Sequence, residues 1–223
     1  MAPGVILSHG PAGPPGVFGE WLEKREIPFR IINVWENGAL PDPDEHEFVV
    51  SLGSQHSVRD REPAWIGAEL RFLERAVGAE VPVLGLCFGG QALSTVLGGG
   101  VERLPRPEIG WVPVRSEADW LSPGPWLQYH KENLKVPPGA RRIADSDAGP
   151  AGFAAGPHIG VQFHPEVTPE ILDRWASMDG ELAGLGLTRE DLAAQSAQHA
   201  AHAREGAFEL FDAWWELARG SRG

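Results

Sequence analysis

Val83-Leu84-Gly85-Leu86-Cys87-Phe88-Gly89-Gly90-Gln91 is the stretch that decides the fold. Apolar residues from Val81 to Leu86 read as a buried strand that runs directly into a glycine-flanked cysteine. Ala92 to Leu97 continues with helical spacing, and Gly98-Gly99-Gly100 ends it. Strand, sharp turn and helix in this order have the form of a nucleophile elbow, G-x-C-x-G. A side chain presented on so tight a turn needs neighbours without Cβ atoms, which Gly85 and Gly89 supply. The helix start behind the sulfur offers free N–H groups and the positive end of a dipole, which favour a thiolate and stabilise an oxyanion. A lone cysteine between strand and helix is usually a small buried hydrophobe. The elbow by itself therefore leaves catalysis and packing equally open.

Outward from the elbow, strands and helices alternate. Val5-Ile6-Leu7 reads as a buried first strand ended by Ser8-His9-Gly10. Gly16 to Glu26 has helical spacing with Phe18, Trp21 and Leu22 on one side, and Phe29 to Val34 reads as a second strand. Gly38 to Glu47 is an acidic, proline-containing loop, Phe48 to Leu52 a third strand, and Trp65 to Val77 an amphipathic helix. This alternation predicts an α/β fold, a mainly parallel, doubly wound sheet flanked by helices. Chemistry on such sheets collects at the carboxyl ends of strands, where Cys87 falls.

A second motif, Gly160-Val161-Gln162-Phe163-His164-Pro165-Glu166-Val167-Thr168, supplies what a cysteine nucleophile needs. His164 can serve as its base and Glu166 can hold the base in one tautomer. Pro165 between them has a fixed φ and stiffens the pair. Without the cysteine, the motif would be an ordinary solvated turn. With both at strand ends, catalysis is the stronger reading.

On these two motifs the chain resembles the class I, triad-type glutamine amidotransferases, over most of residues 4 to 168. It is similar to the glutaminase domain of GMP synthetases. A weaker match is Val49 to Val58, where the family's oxyanion strand commonly reads Ser-Gly-Gly-Pro and this chain has Ser51-Leu52-Gly53-Ser54-Gln55. A backbone N–H survives a Gly-to-Ser change, but a positive φ is harder for serine. The resemblance implies backbone oxyanion donors at Gly53 or Ser54 and at Phe88, and a substrate contact from Gln91, one turn beyond Cys87. It also places Tyr129 and His130 of Gln128-Tyr129-His130-Lys131 at the substrate pocket, largely through main-chain contacts.

The implied reaction is attack of the Cys87 thiolate on the side-chain amide of a γ-glutamyl group. A γ-glutamyl thioester forms, and water releases glutamate. No metal or organic cofactor is called for. The substrate is glutamine or another small γ-glutamyl compound. Within these residues there is no phosphate loop of the P-loop or S-G-G-x-D-S kind, so ATP activation of an acceptor is not expected from them. Two versions stay open: a stand-alone γ-glutamyl hydrolase, favoured by the C-terminal tail and the altered 53–55 turn, and an ammonia-supplying subunit of a separate synthetase partner. A non-catalytic binding module of the same fold is a third, and no triad residue is lost to support it.

Composition agrees with a water-soluble enzyme. The 223 residues are 42% hydrophobic and 22% charged, and a net charge of −12 argues against nucleic acid as a partner. One cysteine excludes an intrachain disulfide. No apolar run approaches a membrane span, and the N-terminus lacks a signal-peptide pattern, so a cytoplasmic protein with no membrane partner is expected. Residues 1–223 are expected to form a single domain with an antiparallel return region over 101–161 and a helical extension from about residue 168. Thr168-Pro169-Glu170 marks a helix start. The final helix, 189–218, carries Phe208, Phe211, Trp214, Trp215 and Leu217 on one broad face, expected to pack on the sheet, with a homo-oligomer contact as second reading. His199 and His202 on it lack partners at metal spacing, and His9, His46, His56 and His158 carry no readable signal.

Overall fold

The alternation expected before residue 97 is present in a computed structural model, which describes residues 2–36 and 39–220. β1 (Gly4–Ser8), α1 (Gly16–Lys24), β2 (Phe29–Asn33) and β3 (Val49–Ser51) lead to α2 (Trp65–Gly78), β4 (Val83–Leu86) and α3 (Phe88–Val96). Gly38, first in the expected acidic loop, lies outside the described residues. There follow β5 (Val101–Val112), β6 (Arg115–Ser116), β7 (Trp126–Leu134), β8 (Arg141–Ser146), β9 (Gly149–Ala155) and β10 (His158–Val161). α4 (Pro169–Met178) and α5 (Arg189–Gly220) complete the chain.

The main sheet has the order β2-β1-β3-β4-β10-β9-β8-β6. Its first five strands pair in parallel, and β9, β8 and β6 extend it antiparallel. β5 and β7 form a separate antiparallel pair. Two details differ from the expected return region. The segment around 158–163 belongs to the parallel part, because β10 lies in register with β4, Gly160 opposite Gly85. β9 was not anticipated: Gly-Pro-Ala-Gly-Phe-Ala-Ala is poor in β-branched residues and is a strand because both its edges are paired. Pro105 and Pro107 are tolerated in β5 because they sit in the register shift between Arg103 and Glu108, where no ladder bond is lost.

Side chains of β1 alternate between two apolar layers. Ile6 joins Phe18 and Trp21 of α1 and Phe211 and Trp214 of α5, whereas Val5 and Leu7 join α2 and α3. Burial on both faces explains why the parallel strands read as unbroken apolar runs. α5 packs back on the sheet: Phe211 meets Phe18 with ring centroids 4.9 Å apart, and Trp214 meets Phe48 at 5.5 Å. α4 begins where its cap signal lies, with Pro169 in the first turn and the Thr168 hydroxyl accepting the Ile171 N–H at 3.4 Å. Among the described residues no helix is long and apolar enough to cross a membrane. The carboxyl ends of β1, β3, β4 and β10 lie side by side, which gathers His9, Gly53, Cys87 and His164 at one edge of the sheet.

Candidate active site

Cys87 stands between β4 and α3 with φ 51° and ψ −103°, a strained conformation for a residue with a side chain. Its N–H donates to the Val161 carbonyl at 2.9 Å, which ties the turn to β10. The flanking glycines serve close approach. A Cβ on residue 85 would come 2.4 Å from the Gly89 carbonyl oxygen, and one on residue 89 would come 2.0 Å from that of Ser51. The turn is thus pressed against its own helix and against β3, and the thiol is buried.

The His164 ring meets both the Cys87 sulfur and Glu166, whose Oε1 lies 2.7 Å from Nδ1. Each end of the His-Pro-Glu turn is pinned by backbone. The His164 N–H donates to Leu127 O at 2.9 Å, and the Val17 N–H at the start of α1 donates to Glu166 O at 2.8 Å. Both side chains are buried. Burial by itself would strip the proton from the His164 imidazolium. The charges of Glu166 and Cys87, with hydrogen bonds to both, outweigh it and push the pKa up to about 10. Glu166 Oε2 is buried with no partner among the described residues, so its charge is balanced chiefly by that imidazolium.

Gly53 fills the gap beside this pair. A Cβ there would lie 2.7 Å from His164 Cε1 and 3.8 Å from Cys87 Cβ. Neither Gly53 nor Ser54 has a positive φ, so the serine is accommodated without strain and glycine is required at 53 for contact with the imidazole. Among the described residues no acceptor takes the N–H of Gly53, Ser54 or Phe88. Three backbone N–H groups in the elbow and the neighbouring 53–54 turn are thus without an acceptor among the described residues.

The remaining sequence candidates separate. Gln91 is buried, and its Nε2 donates to Glu132 O at 2.9 Å and Gln162 Oε1 at 3.2 Å. Tyr129 faces Trp175 of α4, ring centroids 5.8 Å apart, and donates its hydroxyl proton to Asp179 at 2.8 Å. Burial, then that hydrogen bond and the Asp179 charge, hold the phenol proton well above the usual tyrosine range. His130, its neighbour on β7, points to the opposite face. Its ring nitrogens are engaged by Glu132 O at 3.0 Å, Glu108 Oε2 at 3.0 Å and Gln128 Oε1 at 3.1 Å. The structure brings the Tyr129 side chain to the His164 side and keeps that of His130 in a closed polar network.

Four further residues near the site escaped the sequence reading. Gln162 points its Nε2 at the Cys87 sulfur, 3.5 Å away, and its Oε1 accepts the Leu134 N–H at 2.9 Å. Trp175 lays its edge against the His164 ring at 4.8 Å and donates to Ala12 O at 2.8 Å, shielding the charged pair from water. Buried His9 and Glu69 back the Gly53 turn. Glu69 had a signal: it is the charged position on the apolar stripe of α2. No group of three or more metal-ligating side chains occurs among the described residues.

Comparison with known proteins identifies the family. The sequence model of the family "Glutamine amidotransferase class-I" matches residues 47–175, more than half of the chain. The chain belongs to the class-I glutamine amidotransferases. Among relatives of this amidotransferase is a glutamine-hydrolyzing GMP synthase subunit of Ignicoccus hospitalis, 36% identical over 57% of this chain and 72% of that one. The "GMP synthase [glutamine-hydrolyzing]" of Alkalilimnicola ehrlichii is 34% identical over 58% of this chain, but only 27% of its own length is covered. A crystal structure of a glutamine amidotransferase from Methylobacillus flagellatus superposes with a TM-score of 0.89 at 25% identity, covering 97% of this chain and 95% of the other. A Thermotoga maritima structure, at 23% identity and a TM-score of 0.85, shares the fold. The amidotransferase match spans the elbow and the His-Pro-Glu turn together.

Proposed function

We propose that this amidotransferase hydrolyses a γ-glutamyl amide through a Cys87 thioester. The carrying observation is the buried contact of His164 with both Cys87 and Glu166 on a strained elbow. His164 holds its proton at neutral pH, and an imidazolium beside the sulfur favours the thiolate. The sulfur attacks the side-chain carbonyl carbon, and the free N–H groups of Phe88, Gly53 and Ser54 receive the oxyanion. The C–N bond breaks as His164 gives its proton to the leaving amine. His164 then takes a proton from water, which attacks the thioester, and the sulfur leaves with glutamate released. Glu166 orients the imidazole throughout. Gln91 has spent its amide nitrogen inside the protein, which leaves its carbonyl oxygen to meet the substrate. Tyr129 and Trp175 wall the pocket, and His130, its ring already engaged by Glu132, Glu108 and Gln128, is left to contribute through its main chain, as the resemblance implies.

The leaving amine distinguishes two versions. Release from a γ-glutamyl conjugate makes a self-sufficient hydrolase. Ammonia passed to a synthetase is the second reading, supported by relatives that carry the name of GMP synthase, one of them as a separate subunit. Glutamate release by purified protein from L-glutamine and from a panel of γ-glutamyl amides, with Cys87→Ala as control, decides between them. Cys87-dependent turnover of a conjugate well above glutamine supports the first. Turnover of glutamine alone supports the second. Inertness toward every substrate, with or without an added synthetase, overturns the amide-hydrolysis reading.

A further inference from the structure

A second buried histidine approaches the site from behind. His9 follows β1 and Glu69 lies on the buried face of α2, and their side chains are each 1% exposed. His9 Nε2 stands 2.7 Å from Glu69 Oε2, and Nδ1 stands 3.1 Å from the Gly53 carbonyl oxygen. A carbonyl oxygen only accepts, so Nδ1 carries a proton and donates it to Gly53. Glu69 holds the other ring nitrogen, and its second oxygen accepts the Ser51 hydroxyl proton at 2.6 Å. Trp65 stacks on the His9 ring with centroids 5.0 Å apart and planes at 27°, and Phe88 packs against it at 4.8 Å. The ring is fixed in plane, in tilt and in the proton at Nδ1.

We infer that His9, held by Glu69, is a positioning residue that aims the Ser54 N–H at the oxyanion; this rests on the amide-hydrolysis reading above. The peptide between Gly53 and Ser54 is planar, and in the trans form its C=O and N–H point in opposite directions. The bond that draws Gly53 O toward His9 therefore turns the Ser54 N–H away from the core. Without it the peptide is free to rotate, because neither Gly53 O nor Ser54 N–H has another partner among the described residues. Replacing a buried polar pair by packed apolar residues is often neutral or stabilising. A His–Glu pair set into an apolar layer, tied outward to the Ser51 hydroxyl of β3 and to the carbonyl of this loop, fits a site role better than a packing role. His9 also touches the Phe88 ring, so one imidazole backs both sides of the oxyanion hole.

The test separates oxyanion stabilisation from integrity of the nucleophile. Iodoacetamide alkylates a cysteine by forming an S–C bond as iodide leaves a saturated carbon, so no oxyanion develops. In His9→Phe, kcat for the best γ-glutamyl amide should fall about 100-fold with KM changed by less than about threefold, the loss expected for one donor. The rate of Cys87 alkylation should stay within about twofold of wild type, since that step needs no oxyanion donor. His9→Asn, whose side-chain N–H stands near the place of Nδ1–H, should recover about tenfold of the lost kcat. If His9→Phe does not fold, His9→Gln replaces it in the comparison, because the glutamine amide reaches toward Glu69 and not toward Gly53. An unchanged kcat, or an alkylation rate that falls in step with kcat, overturns the assignment. If wild type cleaves no amide, the hydrolysis reading fails, and the crystal structure of the His9 variant then decides. A rotated Gly53–Ser54 peptide supports the positioning role, and an unmoved one overturns it.

Discussion

His164 carries the charge on which the site depends, and its titration is measurable. Its pKa stands near 10, above the ordinary value of 6.5. A group raised on folding contributes stability that is fully present below its unfolded pKa and is lost as pH climbs through the folded one. Between about pH 6.5 and 10, stability should therefore decline with rising pH, and kcat should fall on the alkaline side as the leaving amine loses its proton donor. NMR of the His164 ring should give a midpoint far above 6.5 in wild type and a lower one in Cys87→Ala, where the sulfur's charge and hydrogen bond are gone. Equal midpoints in the two proteins would remove Cys87 from the cause. Gly53 offers the matching steric prediction. A methyl at Gly53 would stand 2.7 Å from His164 Cε1, so either the ring or the loop must shift. Gly53→Ala should lower kcat by about 100-fold, comparable to losing an oxyanion donor, and steady-state kinetics at pH 7.5 reads it. Activity within about threefold of wild type would mean that the loop moves freely and that contact with the imidazole is not what selects glycine there.

Elements differ in how they are held, and so in how they were legible. Thr168 caps α4 with one side-chain bond, so Thr168→Ala should cost about 1 kcal/mol in chemical denaturation. Trp214 on α5 is fully buried against Phe48 and Phe18, and Trp214→Ala should cost about 3–5 kcal/mol. The opposite ranking would mean that α5 is an ornament and not part of the core. The cap, the elbow and the parallel strands could be read from sequence because each is a local pattern: a capping residue before a proline, glycines around a cysteine, unbroken apolar runs. β9 could not, since Gly-Pro-Ala-Gly-Phe-Ala-Ala becomes a strand only between β10 and β8. Cys87, His164 and Glu166 lie in two short motifs and were legible together. His9 and Glu69 were not, because their meeting is a product of α2 crossing beside β1 and β3 and leaves no spacing in the chain. The resemblance puts His130 at the pocket largely through its main chain, and strand alternation turns its side chain to the other face of β7.

At the scale of the whole molecule, the same layering makes a claim about cooperativity. α5 lies beyond the residues that match the family model, yet it does not stand apart from them. Ala203, Ala207, Leu210, Phe211 and Trp214 share one apolar cluster with Ile6, Phe18, Trp21, Phe48 and Val161, drawn from three strands of the main sheet or their flanks and from α1. Asp212 binds both Trp21 and Arg25, and Arg204 binds Glu20, so polar ties also join α5 to α1 and its C-terminal end. Separating α5 would open the whole sheet face that it covers, a cost no partial state recovers. Residues 1–223 should therefore unfold as one unit. Tryptophan fluorescence, weighted to the α5 side by Trp21, Trp214 and Trp215, and far-UV circular dichroism should give coincident denaturant transitions. Trp214→Ala should move both midpoints together and leave the slope unchanged. A fluorescence transition that precedes loss of the sheet signal would make α5 a separate folding unit. The site offers an internal check on that outcome. The carbonyl of Glu166 is held by α1, and α1 in turn is clamped by α5. Cys87-dependent amide hydrolysis should then be lost at the same denaturant concentration as the two spectroscopic signals.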